Sequence, residues 1–243
     1  MTSTTTSPTT ALVTGANKGI GYETVRRLGA LGWTVWLGAR DAELGTSAAE
    51  KLAADGADIR FVQLDVTQDQ SVAAARAAVE QASGSLDVLV NNAGITGPLK
   101  SVEETEAADF LGAFGVNLLG PVRMTKAFLP LLRRAAQPRV VMVSSGMGSF
   151  GVTTDPDRLE STLHSLVYPS AKAALNMVTS QYAKSLPGFQ VNAVDPGYTA
   201  TDLNGHHGHQ TVQEGAEAVV IAATLEPGGP TGTFFDAAGP VPW

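Results

Sequence analysis

The sequence predicts a doubly wound α/β fold with a seven-stranded parallel sheet flanked by helices, on three observations. Short runs rich in Val, Leu, Ile and Phe alternate with helix-length stretches along the whole chain. Most of those runs are continuously apolar rather than alternating, as expected of strands covered on both faces. A glycine-rich turn, Thr14-Gly15-Ala16-Asn17-Lys18-Gly19-Ile20-Gly21, joins the first run to the first helical stretch. Parallel strands need right-handed crossovers, and a ligand then sits outside the carboxyl ends of the strands.

The elements follow in order. Strands are expected at 11–14, 34–39, 58–64, 86–90, 139–144, 190–194 and 231–235. Helices are expected at 21–31, 42–54, 70–83, 103–119, 122–136, 168–185 and 212–225. Pro121 suits the first turn of a helix, which splits the long fourth crossover in two. Residues 1–9 read as a disordered polar tail and 10–243 as a single domain.

Composition narrows the function. Of the 243 residues 44% are hydrophobic, enough for a substantial core. The formal charge of −7 argues against a nucleic-acid binder, which needs dense Lys and Arg. There is no cysteine, so disulfides, thiol catalysis and thiolate metal sites are excluded. The opening residues have neither the basic start nor the apolar core of a secretory signal, and no apolar run is long enough to span a bilayer. The expectation is a cytoplasmic protein without a membrane partner.

Each chemical motif falls at the end of an expected strand. The glycine turn lets backbone approach a bulky anion, and the helix behind it points free N–H groups at that anion. This is the recipe for a dinucleotide pyrophosphate, although Gly15, Gly19 and Gly21 depart from the G-x-G-x-x-G spacing and glycines also serve ordinary tight turns. The second strand ends in Gly38-Ala39-Arg40, with no acid where a ribose 2′-hydroxyl would need an acceptor. Arg40, with Lys18 able to approach the same region, favours a 2′-phosphate and hence NADP(H); the alternative is a surface pair of Arg40 with Asp41 or Glu43. Asp65 and Val66, ending the third strand, can read an adenine edge, or Asp65 or Thr67 caps the next helix. Asn91-Asn92-Ala93-Gly94 ends the fourth, its small residues admitting a cofactor and its Asn side chains tying loops together.

Tyr168 and Lys172 stand at i and i+4 and so share a helix face. A free phenol titrates near ~10, and a nearby ammonium is expected to bring that down into a useful range. Ser144 and Ser145 end the fifth strand, able to hold a carbonyl oxygen beside the phenol. Asn117 lies in a helical pattern, where a polar side chain among apolar ones is expected to disturb the ladder and recruit water. Pro196-Gly197 and the loop after it, with Thr199 and Thr201, complete the set. His206, His207 and His209 invite a metal reading, but no further ligand is evident and a solvated, mobile lid is preferred; the expected metal content is none.

Taken together, Thr14-Gly15-x3-Gly19-x-Gly21, Asn91-Asn92-Ala93-Gly94, Asn117, Ser145, Tyr168-x3-Lys172 and Pro196-Gly197 occur in the order shown by the short-chain dehydrogenase/reductase superfamily, which the chain resembles from Thr10 to Trp243. Within it, Asn17-Lys18-Gly19-Ile20-Gly21, Gly38-Ala39-Arg40-Asp41 and the ending Thr231-Gly-x-Phe-Phe…Trp243 look most like NADPH-dependent carbonyl reductases with a Rossmann fold. The resemblance implies Tyr168 as general acid/base, Lys172 as the group that lowers its pKa and holds the nicotinamide ribose, Ser145 as stabiliser of the substrate oxygen, and Asn117 as anchor of a water relay. It implies contacts from Thr199 backbone and the Thr201 hydroxyl to carboxamide and phosphate. The substrate expected is a small carbonyl or alcohol of apolar character. A catalytically idle NADP-binding sensor and a dehydrogenase working in the oxidative direction are the alternatives.

One departure stands out. Ser145 and Tyr168 lie 23 residues apart, more than in most of the superfamily. The resulting insert, 146–167, is expected to form the substrate mouth together with a lid at 198–211. Met147, Phe150, Tyr198 and Trp243 are candidate walls of that mouth, against core packing as the rival role. An insert here can also obstruct the helix pair through which relatives assemble, so a homo-oligomer is left open.

Overall fold

The computed structural model describes residues 8–243. Strands β1 (Thr10–Thr14), β2 (Thr34–Ala39), β3 (Ile59–Gln63), β4 (Val88–Asn91), β5 (Arg139–Val143), β6 (Gln190–Val194), β7 (Phe234–Asp236) and β8 (Gly239–Pro240) form one sheet in the order β3-β2-β1-β4-β5-β6-β7-β8. The first seven are parallel as expected. The eighth is a correction: Asp236 Oδ1 accepts from the N–H groups of Ala238 and Gly239, and this turn folds Gly239–Pro240 back antiparallel onto β7. Two residues at the edge carry no periodic pattern to read. At the other end, residues 1–7 of the expected tail lie outside the described residues. Thr9 already accepts from Thr34 N–H at 3.0 Å, so ordered pairing reaches back to it.

Strand interiors explain the apolar runs. Leu12 packs with Leu89, Val140 and Phe128 on one face of the sheet, while Ala11 and Val13 pack with Val35, Val90 and Val219 on the other. Burying a Leu or Val side chain on either face is worth about 1.5–3 kcal/mol, so both faces demand a helical cover. Helices α1 (Gly19–Ala30), α2 (Ala42–Ala53) and α9 (Glu217–Ala223) cover the second face. Helices α3 (Asp69–Ser83), α5 (Gly120–Leu132) and α7 (Val167–Ser185) cover the first.

Two expected helices are broken. Residues 103–108 are not helical; α4 runs only Asp109–Phe114 and continues as a π-helical turn, Gly115–Leu119, before α5 begins with Pro121 in its first turn. The polar Asn117 at the centre of that turn is the reason, as shown below. The stretch 212–225 is divided into α8 (Val212–Gly215) and α9, with Ala216 between them. Within the insert a 3-10 turn (Gly146–Gly148), α6 (Phe150–Thr153) and a second 3-10 turn (Leu159–Thr162) follow one another. Ser149 Oγ donates to Pro242 carbonyl at 2.6 Å and Gly151 N–H to the Trp243 carbonyl at 3.2 Å, so the chain's last residues brace α6. Among the described residues no helix is long and apolar enough to cross a membrane.

Candidate active site

The glycine turn sits where β1 meets α1 and is held from β4. Thr14 Oγ1 accepts from the N–H groups of Asn92 and Ala93, both at 3.0 Å, while Asn92 Nδ2 donates to the carbonyls of Thr14 and Gly15. A Cβ on Gly21 would lie 2.5 Å from Asn92 Nδ2, and one on Gly15 would lie 2.8 Å from Ala93 Cα. The glycines are thus needed for close approach of three chain segments. Helix α1 has no side-chain cap at Lys18 and no acid in its first turn, which leaves its N–H groups turned toward the cleft. An uncapped N-terminus behind a cradle without Cβ atoms suits a diphosphate.

Arg40, at the end of β2, is exposed and makes no ion pair among the described residues. Asp41 instead caps α2, accepting from Leu44 N–H at 2.9 Å, so the surface pair expected as its alternative does not form. Lys18 departs from expectation. Its ammonium is paired with Asp202 on the lid rather than turned to the region of Arg40, because that carboxylate lies within its reach. Asp65 accepts from the N–H and hydroxyl of Thr67 at 2.9 and 2.7 Å, an Asx turn, and neither residue caps α3. Those bonds and the positive charges of Arg40 and Arg123 hold the Asp65 carboxyl below its ordinary value against the opposing cost of burial. Val66 is buried beside it, its carbonyl accepting from Arg123 at 2.7 Å.

The four reactive side chains come together where the π-helical turn, the end of β5 and α7 meet. Asn117 is buried, its Oδ1 accepting from Ile95 N–H at 2.9 Å and its Nδ2 donating to the Ile95 carbonyl at 2.8 Å. This bidentate grip pulls the α4–α5 ladder open into the π turn, as a polar residue at that position was expected to do. Two main-chain bonds hold the amide, and a second lone pair on Oδ1 and a second N–H on Nδ2 remain beyond them. A Cβ on Gly94 would stand 3.6 Å from Asn117 Oδ1 and 3.8 Å from Lys172 Nζ. Lys172 is buried, donates to the Val143 carbonyl at 2.7 Å, and places its ammonium 5.6 Å from the centre of the Tyr168 ring.

The electrostatics correct one expectation. Tyr168 lies above its ordinary pKa, chiefly because burial disfavours the phenolate; Ser145 opposes the rise and the charge of Asp195 adds to it. Lys172 does not bring the phenol down here, since burial weakens the ammonium itself and lowers it to about 8, with Asp195 holding it up. Ser145 Oγ caps the turn that follows it, accepting from Met147 N–H at 3.2 Å. Ser144 faces away and bonds Asn176 Oδ1 at 2.5 Å, while Asn176 Nδ2 donates to the Gly148 carbonyl at 3.1 Å. Asn176 was not singled out from the sequence, yet it stands four residues after Lys172, and that spacing alone places it on the reactive face.

The lid is knitted rather than loose. Thr199 and Gln210 form a parallel bridge, Ala200 N–H donates to the Gln210 carbonyl at 2.9 Å, and Asn204 Nδ2 donates to the Thr199 carbonyl at 2.9 Å. Thr199 N–H is taken by the Gly197 carbonyl, so both main-chain groups of Thr199 are already engaged. The Thr201 methyl would be 3.5 Å from a Cβ on Gly19, which sets this lid residue over the glycine turn. His206 Nε2 bonds Asp202 at 2.8 Å and His209 tilts against Tyr198 with ring centres 6.0 Å apart. Among the described residues no three His, Asp or Glu side chains gather as a metal site. Of the proposed mouth walls, Phe150 is 76% exposed, so core packing is not its role, whereas Met147 is half-buried and Trp243 stacks on Phe234 at 5.5 Å.

A doubly wound sheet with a glycine cradle at β1 and a Ser, Tyr and Lys grouped beyond β5 defines a nucleotide-dependent oxidoreductase architecture. The chain belongs to the short-chain dehydrogenase family, whose model matches residues 9–212. It is 35% identical to (−)-isopiperitenone reductase of Mentha piperita, covering 93% of this chain and 95% of that one. It is 32% identical to carbonyl reductase [NADPH] 1 of Rattus norvegicus, covering 96% and 98%. The crystal structure of NADPH-bound carbonyl reductase from chicken fatty liver matches with a TM-score of 0.86 at 28% identity, over 98% of this chain and all of that one. Both comparisons support the likeness to carbonyl reductases expected from the motifs.

Proposed function

We propose that the protein reduces a ketone or aldehyde to an alcohol with NADPH, Tyr168 giving the proton. The observation that carries this reading is the convergence of Asn117 Oδ1 and Lys172 Nζ on the space beside Gly94, with the Tyr168 ring under the ammonium and Ser145 at the phenol. The chain's likeness to carbonyl reductase [NADPH] 1 and to an NADPH-bound carbonyl reductase supports it.

The uncapped α1 with Gly15, Asn17, Gly19, Ile20 and Gly21 would hold the pyrophosphate. Arg40 would hold the 2′-phosphate, joined by Lys18 when that side chain leaves Asp202. Asp65 and Val66 would border the adenine, and Asn92, Ala93 and Gly94 the adenosine ribose. Pro196, Gly197, Thr199 and Thr201 would border the nicotinamide. When bound, the cofactor supplies a hydride to the carbonyl carbon. Ser145 donates a hydrogen bond to the carbonyl oxygen, and the Tyr168 hydroxyl delivers its proton to that oxygen as charge builds there. A phenol held above its ordinary pKa is fully protonated at neutral pH, the form that a donor needs. Lys172, its ammonium 5.6 Å from the centre of the Tyr168 ring, would hold the nicotinamide ribose. Asn117 fixes the 94–95 turn against which these groups are set.

The segments leaving the ends of β4, β5 and β6 expose Leu99, Leu163, Leu166 and Leu203, which favours a substrate with an apolar body. Loss of reduced-nicotinamide absorbance with a panel of apolar ketones and aldehydes tests the function; no turnover on any of them would sink it. Replacing Arg40 by alanine is expected to raise KM for NADPH about 10–100-fold, the worth of one charge-assisted hydrogen bond, with little change for NADH. Steady-state kinetics with both cofactors decides this, and a wild-type preference for NADH overturns the 2′-phosphate assignment.

The reaction should also fade in alkali. Lys172 titrates at about 8, so kcat/KM for reduction is expected to fall above that pH as the ammonium is lost. The same shift acts on stability with a definite sign. Because the folded value lies below the ordinary 10.5, the unfolded chain binds the extra proton between about 8 and 10.5, and this group's contribution to stability grows with pH across that window. A pH profile of kcat/KM without any limb near 8 contradicts this account of Lys172.

A further inference from the structure

A buried acid outside the four reactive residues stands beside them. The sequence Val194-Asp195-Pro196-Gly197 ends β6, and Asp195 is 5% exposed. Gly197 adopts φ +72°, which turns its N–H back onto Asp195 Oδ1 at 3.0 Å. The N–H of Gly146, just after Ser145, is a second donor to the same carboxyl. Both donors are main chain, so the acid is fixed in place. Among the described residues it has no arginine or lysine in ion-pair contact.

Register sets this acid beside the reactive lysine. Val143 pairs with Val194, and the Val143 carbonyl is the one that Lys172 Nζ caps at 2.7 Å. Asp195 follows on that same rung's strand, and its charge reaches both Lys172 and Tyr168 on α7. Two further acids face it: Glu160 from the insert and Asp236 from β7. Asp195 Oδ2 and Glu160 Oε1 each lie about 3 Å from the point where a Cβ on Gly146 would stand, so a side chain there would displace one of them. Neither of these two acids brings a cation to Asp195; the Glu160 carboxylate has Arg158 3.9 Å away on its other oxygen.

We propose that Asp195 is a positioning residue for the reaction, the fixed countercharge that keeps Lys172 an ammonium and Tyr168 a phenol. A buried carboxylate and a buried ammonium are each costly alone, and each lowers the cost of the other. The role follows from charge. A negative group here favours the protonated forms of both neighbours, which are the forms the proposed reduction uses: the phenol gives up its proton and the ammonium keeps its own. Burial chiefly, with like-charged Glu160 and Asp236, raises the Asp195 carboxyl above its ordinary value, and the main-chain N–H groups of Gly197 and Gly146 oppose that rise by favouring the carboxylate. This inference rests on the mechanism proposed above for Tyr168 and Lys172.

The test is the pH profile of kcat/KM for NADPH-dependent reduction, recorded for the wild type, Asp195→Asn and Tyr168→Phe with the best ketone of the panel. Asparagine keeps the shape and an acceptor for Gly197 N–H but removes the charge. The alkaline limb is expected to move to lower pH by about one unit, the effect of one charge at close range in a partly screened site. A limb that stays in place or moves upward overturns the proposal, even when activity falls evenly at all pH values, because that is what a purely structural role gives. Should Asp195→Asn not fold, Asp195→Ser is read by the same criterion. Turnover that persists in Tyr168→Phe strikes instead at the underlying mechanism, so the two failures are told apart.

Discussion

Replacing Tyr168 with phenylalanine is expected to lower kcat for carbonyl reduction by about 10²–10⁴-fold, the usual worth of a positioned general acid. The fold should survive. Tyr168 lies in the first turn of α7 with the Ser145 hydroxyl at its phenol, and Lys172 stays anchored on the Val143 carbonyl without it. KM for NADPH should change little, because the phenol acts on the substrate oxygen. Stopped-flow or steady-state absorbance at matched folded fraction provides the measurement. Turnover within a few-fold of wild type removes Tyr168 as the proton donor and leaves the grouping of Ser145, Lys172 and Asn117 without a reaction.

Gly15→Ala should produce the second large effect, on stability and cofactor binding together. Gly15 has φ +62°, where a side chain clashes with its own backbone, and its Cβ would stand 2.8 Å from the main-chain Ala93 Cα. Main chain cannot swing aside as a side-chain tip does. The left-handed conformation costs about 1–2 kcal/mol and the overpacking about 1–3 kcal/mol, so a loss of about 2–5 kcal/mol follows. For a chain of this size that is a fall of roughly 4–20 °C in Tm. Separating β1 from β4 also opens the cradle, and NADPH affinity should drop at least about tenfold. Scanning calorimetry and a fluorescence titration check both; an unchanged Tm with intact binding means the close approach of Gly15 to Ala93 is not required.

Parts of this site were legible before folding because they depend on local rules. The Tyr168, Lys172 pair is an i, i+4 spacing that any helix turns into one face. The glycine turn announces itself because only glycine tolerates both the conformation and the crowding. Asn117 is also legible in this sense, since a polar residue amid Gly115-Val116 and Leu118-Leu119 predicts a defect and a π turn is what forms. Asn176 obeyed the same spacing as the tyrosine and lysine and was overlooked only because the motif stops at Lys172.

Other features depend on what arrives from elsewhere in the chain. Lys18 reads as a cofactor cation, but its partner Asp202 is 184 residues away and nothing local forecasts that pairing. The three histidines of the lid read as a loose cluster, whereas His206 bonds Asp202 and His209 packs against Tyr198, so these two turn to separate partners. Burial is likewise a product of assembly. A tyrosine next to a lysine suggests a lowered phenol, yet closing β5, the insert and α7 around the pair desolvates both, and desolvation outweighs their mutual attraction.

The sequence by itself determined the alternation of strands and main helices, the seven parallel strands, the glycine cradle and the face shared by Tyr168 and Lys172, because hydrophobic period and backbone sterics act over a few residues. Only the tertiary structure decided which charges meet. Asp195, Glu160, Asp202 and Asp236 are scattered acids along the chain, and strand register, crossover direction and the folding of the insert bring three of them together beside the reactive lysine and one to Lys18. Coulomb energy depends on distance in space and on exclusion of water, and neither exists until the strands are paired.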